Sequence, residues 1–340
     1  MKTKANSLVF GCVVVVLSGC GGGGGGGSSS PSVLPAATIT ETNKQQVAGA
    51  AIRGDFRSLG AFGGGAVAVA PENPARLSTQ TMTTIFASVL NRIRTFSPSD
   101  VESPAAGVRE GSVQCVPNDA GKGTISVRFD DKNDDGEFTN GDSIAATFNN
   151  CLSEQDGSTT NGKVTFKITN VVGFPLLQVT PWSFVADVIF SGFQFNFPGR
   201  PPFTLDGALN WSQSQLTLDE SVIYATGNNL KVVSSADNLT LSNYAVTFSD
   251  NDATNAYSEY GTETVSSTAL GASFVMTVDQ AKPLQGTDPN FPDSGVITIT
   301  GENSTLTLTA IDNVNVRLDL DSNKDGAIDS SENVPWESLI

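Results

Sequence analysis

From about Gly111 onward, apolar and polar residues alternate with a period of two. The alternation runs through GTISVRF, SIAATFNN, KVTFKIT, SFVADVIF, FQFNF, FTLDGALNW, QLTLDESVIYAT, LKVVSS, LTLSNYAVTFS, SFVMTV, GVITIT, STLTLTAI and NVNVRLDL. These runs are rich in Thr, Val, Phe and Ile and are punctuated by Gly, Asn, Asp and Pro, the pattern of half-buried strands joined by turns. About a dozen of them without helical interludes predict an antiparallel meander, not a βαβ array. Phe184, Val188 and Phe190 share one parity, while Phe193, Phe195 and Phe197 take the other. The phase therefore slips at Ser191-Gly192, as a bulge requires. Phe203, Leu205, Leu209 and Trp211 keep the second parity, consistent with a hairpin across PGRPP.

Ahead of the strands the period is helical. In ITETNKQQVAGAAI, Thr42 and Gln45 have capping-box spacing, and Val47, Ala48, Ala51 and Ile52 form an apolar face. In STQTMTTIFASVLNRIRTF, Met82, Ile85, Phe86, Val89, Leu90, Ile93 and Phe96 recur at helical spacing, between Ser78 as a cap and Pro98 as a stop. That stripe is expected to cover the apolar face of the sheet. The fold predicted is mainly β: a large antiparallel curved sheet or open barrel, with one or two N-terminal helices packed against it. The helical segment is placed at 38–110 and the β domain at 111–340. A transmembrane barrel is compatible with the strand count, but abundant Ser, Thr and Asn favour a soluble sheet.

The first nineteen residues read differently. Lys2 and Lys4 precede an apolar run from Leu8 to Leu17, too short to cross a bilayer as a stop-transfer helix. The run ends in Leu17-Ser18-Gly19-Cys20, which resembles the lipobox of bacterial lipoproteins. The resemblance covers only residues 1–20. It implies cleavage of the signal peptide 1–19 before Cys20, acylation of Cys20, and a membrane-anchored product. Gly21 stands where Asp marks inner-membrane retention in such lipoproteins, so the outer membrane is the implied address. Residues 20–37, beginning Cys20-GGGGGGGSSSPS, read as a flexible tether. Its twelve Gly-, Ser- and Pro-rich residues from Gly21 span roughly 17–21 Å on average and about 40 Å when extended.

Charge and composition narrow the chemistry. The net charge is −16, and loss of the two signal lysines would make it −18. Nucleic acid is thereby a poor partner, because a phosphate backbone recruits clustered Lys and Arg. The chain has no histidine, which excludes Ser-His-Asp and Cys-His catalysis and imidazole-based zinc sites. Of the four cysteines, Cys12 falls in the signal and Cys20 in the lipobox, which leaves Cys115 and Cys151. In an exported protein they are expected to pair as a disulfide, with a two-thiol metal site as the weaker alternative.

Two acidic stretches carry the remaining candidate chemistry. In LDLDSNKDGAIDSSE, counting Asp321 as position 1 puts Asn323 at 3, Asp325 at 5, Gly326 at 6, Ala327 at 7, Asp329 at 9 and Glu332 at 12. This resembles the EF-hand calcium loop at each ligand position, with Ala327 contributing its carbonyl and Glu332 both carboxylate oxygens. In FDDKNDDGEFTNGDSI, Asp131, Asn133, Asp135, Glu137 (by its carbonyl) and Thr139 follow the same spacing, with the shorter Asp142 at position 12. A weaker site is expected there. Both loops follow strand-like residues, whereas the EF-hand family has an entering helix, so only the ligand geometry carries over. A plain Asp-Gly hairpin turn is the competing reading of each.

The function expected is a non-enzymatic, calcium-binding structural or binding module anchored at the outer membrane and facing either periplasm or exterior. The alternative is a carrier or receptor for an apolar ligand or lipid, with Phe193, Phe195, Phe203 and Trp211 lining a curved β cup. A carboxylate hydrolase has the least support, because no nucleophile motif accompanies the acids.

Overall fold

The alternating residues form fifteen strands: β1 Val108–Gln114, β2 Thr124–Asp130, β3 Ser143–Leu152, β4 Thr159–Phe174, β5 Val179–Asn196, β6 Phe203–Gln215, β7 Glu220–Ser234, β8 Asn238–Asn251, β9 Ala256–Ser267, β10 Ala272–Val278, β11 Leu284–Thr287, β12 Val296–Thr300, β13 Thr305–Ala310, β14 Asn315–Asp321 and β15 Ser330–Pro335. Among the described residues one helix, α1 Lys44–Gly54, precedes them, and a 3-10 turn at Trp336–Leu339 follows. The computed structural model describes residues 34–54, 107–115, 119–134, 138–152, 157–174, 179–196, 198, 202–287 and 290–339. The signal, Cys20 and most of the tether lie outside these residues, as does the second expected helix.

The strands make one antiparallel sheet in chain order, except that β10 pairs with β12 while the short β11 returns to β9. The order runs from β1 to β15 without joining its ends, so the sheet is open and is not a closed barrel. A meander of this kind puts alternate connections on opposite rims. The β2–β3, β4–β5, β6–β7, β8–β9 and β13–β14 turns share one rim. The β1–β2, β3–β4, β5–β6, β7–β8, β9–β10, β12–β13 and β14–β15 turns share the other.

One face of the sheet is buried. Phe166, Phe184, Val188, Phe193, Leu205, Trp211, Leu241, Ile299, Leu308 and Leu318 are all within a few per cent of full burial. The expected phase slip is present: Gly192 has φ +54°, and the β5–β6 register shifts between Phe190 and Phe193. The bulge brings Phe193 and Phe195 onto the face of Phe184 and Phe190, where Phe148 and Phe195 flank Phe193 edge-on. SFVADVIF and FQFNF are thus one strand, bent by the extra residue.

Strand β9 was not among the alternating runs read from sequence. Its Glu259 and Glu263 occupy inward positions and are buried, which breaks the apolar pattern. β1 begins at Val108, slightly ahead of the point where period two becomes visible.

The first helix is where its apolar stripe puts it. Val47, Ala48, Ala51 and Ile52 are buried, and the helix packs on β8, β9, β13 and the C-terminal 3-10 turn. Gly49 permits this approach, since a Cβ there would sit 2.5 Å from the Leu339 carbonyl oxygen. The N-terminal cap differs from the expected box. The Thr40 amide donates to Asn43 Oδ1, and Gln45 instead reaches Glu332 on β15. The residues before α1 lie along the rim of the β9–β10 and β12–β13 turns, through Ala37 to Ser273 and Glu302 to Ala37 backbone bonds.

Candidate metal-binding loops

The 321–332 loop joins β14 to β15. Its entry is set by strand pairing, Leu320 opposite Ser330, with the Asp329 amide returning to the Leu320 carbonyl at 2.8 Å. Within it, short polar side chains fold over the loop's own amides, as Asp and Asn do when they build turns. Asp321 accepts from Asn323 N at 3.3 Å and from Gly326 N at 2.9 Å. Asn323 Oδ1 accepts from Asp325 N at 3.0 Å, and Asp325 Oδ1 from Ala327 N at 2.8 Å. Lys324 and Gly326 adopt positive φ, +57° and +87°, which lets the backbone turn back within so few residues.

Asp329 Oδ2 accepts from both the amide and the hydroxyl of Ser322, at 2.7 and 2.5 Å. Those bonds hold its carboxyl below the ordinary range. Positions 1, 3, 5 and 9 are therefore ordered by the loop itself. Position 12 is not. Glu332 leaves the loop and meets α1, 3.3 Å from Lys44 Nζ and 3.2 Å from Gln45 Nε2.

Lys44 is the centre of that contact. It is 2% exposed and also donates to Glu41 at 2.7 Å and Ser330 Oγ at 2.9 Å. Burial pulls its pKa down, but the hydrogen bonds to Glu41 and Glu332 outweigh that and leave it raised. The sequence gives no sign of this pairing, because Lys44 and Glu332 are far apart in the chain.

The 131–142 loop joins β2 to β3 on the opposite rim. Asp135, Gly136 and Glu137 lie outside the described residues. Asp142 is fully buried, and it accepts from Lys132 N at 3.0 Å, Thr139 N at 2.6 Å and Thr139 Oγ1 at 3.0 Å. Asp131 is buried with Arg109 Nη2 3.5 Å from its Oδ2. Asp134, the counterpart of Lys324, also has positive φ, +56°. The two loops thus share backbone punctuation and differ in what holds their last acid.

Among the described residues, no three His, Cys, Asp or Glu side chains converge as a metal cluster. In the 321–332 pattern two of the ligands are of other kinds, the Asn323 side chain and the Ala327 carbonyl. Cys115 and Cys151 are placed together as a disulfide with Cα atoms 5.4 Å apart. The link ties the end of β1 to the end of β3, around the start of β2 where the Cys115 amide bonds the Gly123 carbonyl.

No protein-family model, curated protein or solved structure matches this chain.

Proposed function

We propose that this chain is a lipid-anchored, non-enzymatic protein of the outer membrane whose β body is braced by calcium at the 321–332 loop and, more weakly, at 131–142. The observation that carries the reading is the ordering of Asp321, Asn323, Asp325 and Asp329 on one short turn between paired strands. A divalent cation offsets the mutual repulsion of three carboxylates there and fixes the β14–β15 end of the sheet. A strand, not a helix, leads into the loop, so the metal stabilises and does not open a helical groove.

The carrier alternative draws less support, since Phe193, Phe195 and Trp211 are packed core and Phe203 stacks on Phe195. The test is calorimetric titration of calcium into the purified chain, followed by thermal melts with calcium and with chelator. Saturable binding that raises Tm is expected. Melts that coincide in calcium and chelator would sink the bracing role.

A further inference from the structure

The outward face of the sheet changes character along the meander. On β4 to β7 it carries charge, in Lys163, Lys167, Asp187, Asp206 and Lys231. β14 carries charge again, in Arg317, Asp319 and Asp321. Between them, the outward positions of β9, β10, β12 and β13 hold no charged residue. In a chain of net charge −16, a neutral face four strands wide asks for a reason.

Strand pairing sets these positions in a grid. Thr264, Val275, Thr300 and Thr305 form one cross-strand row, and Thr262, Thr277, Thr298 and Thr307 form the next. No register shift interrupts the pairing of these four strands. Seven of the eight residues are threonine, and the eighth is valine, which has the shape of threonine. The pleat spaces them by about 4.8 Å across the strands and about 6.7 Å along each strand. All eight keep part of their surface in water, and Thr262 and Val275 are exposed. Strand propensity accounts for β-branching at these sites, but not for the exclusion of Lys and Glu.

We propose that this grid is an ice-binding face. Each threonine offers a hydroxyl that bonds a lattice water and a methyl that excludes others. β-Branched side chains are stiff at χ1, so the array is held in place before contact and little freedom is lost on binding. Single hydrogen bonds to water are weak, but in a fixed repeat they act together. Ice is a ligand that returns a repeat in two directions, through nets of water oxygens of similar spacing. A charged group would keep its own hydration shell and disturb that layer, which accounts for the neutrality of the grid.

Other occupants fit this chemistry less well. Protein interfaces are anchored by Trp, Tyr, Met and Arg, and none of these stands in the grid. Polysaccharides and ions ask for aromatic rings and charge, which the grid also lacks.

The experiment places the purified full chain in a nanolitre osmometer and follows ice growth below the melting point. The unmodified chain is expected to facet the crystals and to open a gap between melting and freezing points. Thr298→Lys, inside the grid, and Thr262→Lys, at its exposed edge, are expected to close that gap while urea unfolding shows both still folded. Thr298→Val keeps the shape and the methyl and should retain most of the gap. Thr204→Lys, outward on β6 and outside the grid, should leave it unchanged. Coincident melting and freezing points for the folded, unmodified chain would overturn the assignment, as would an equal loss in Thr204→Lys. A dimer in sedimentation that Thr298→Lys dissociates would overturn it too, by assigning the face to a second copy.

Discussion

The Tyr244 ring crosses Gly227, its register partner on β7, and its hydroxyl donates to the Ala208 carbonyl on β6 at 3.0 Å. A Cβ on Gly227 would lie 2.1 Å from the Tyr244 oxygen. One aromatic side chain thereby ties three successive strands at the point where the β6–β7 register shifts, between Ala208 and Asn210. Burial and the nearby Glu263 raise the phenol pKa, so it remains a donor at physiological pH. The device recurs: Tyr257 on β9 lies across Gly286 on β11 and donates to the Asn290 carbonyl at 3.1 Å.

Tyr244→Phe removes a buried donor without changing shape, and its expected cost is about 1–2 kcal/mol. Gly227→Ala forces the ring aside and costs more, about 2–4 kcal/mol. In a Tyr244→Ala background the Gly227→Ala penalty should largely vanish. Urea unfolding of the unmodified chain, Gly227→Ala, Tyr244→Ala and the double variant measures the coupling, and additive losses would show that the ring does not depend on the glycine.

The Cys115–Cys151 link closes a loop with sequence separation 36. Replacing both cysteines with serine should lower stability by about 3–4 kcal/mol, chiefly by freeing the unfolded chain. Reducing agent should produce the same shift in the unmodified protein and none in the double mutant.

Lys44 and calcium are expected to compete for Glu332. Glu41 and Glu332 stay 62% and 31% exposed, so losing their lysine strands no fully buried charge. Lys44→Met should then lower calcium-free stability by only about 1–2 kcal/mol. It should also enlarge the calcium-induced rise in Tm, because Glu332 is released to the loop. Asp325→Ala should abolish that rise in either background. Paired melts with calcium and chelator distinguish the two effects.

Asp312 gives a pH signature outside the candidate loops. Amides of Val314 and Asn315 hold its carboxyl below the ordinary range, with bonds of 2.8 and 2.7 Å. A depressed folded pKa contributes stability that is present above the unfolded value, near 3.9, and lost as pH falls through the folded one. Asp312→Ala should destabilise the protein at neutral pH and flatten the acid limb below about pH 4. Stability measured from pH 2 to 7 checks both the sign and the window.

The sequence by itself determined what depends on local spacing. Alternation set the strands and their meander, because the pleat has a period of two wherever one face is buried. The parity slip at Ser191-Gly192 located a bulge, and the apolar stripe of Val47, Ala48, Ala51 and Ile52 located α1. The 321–332 loop was legible for the same reason, since its side chains bond to amides only a few residues away. Only the tertiary structure decided what depends on distant partners. It left the sheet open, put the two acidic loops on opposite rims, and turned Glu332 toward Lys44. It also hid β9 from the alternating pattern by burying Glu259 and Glu263. Register between strands, unlike the period within one, is settled by the packed face and the hydrogen-bonded ladder together.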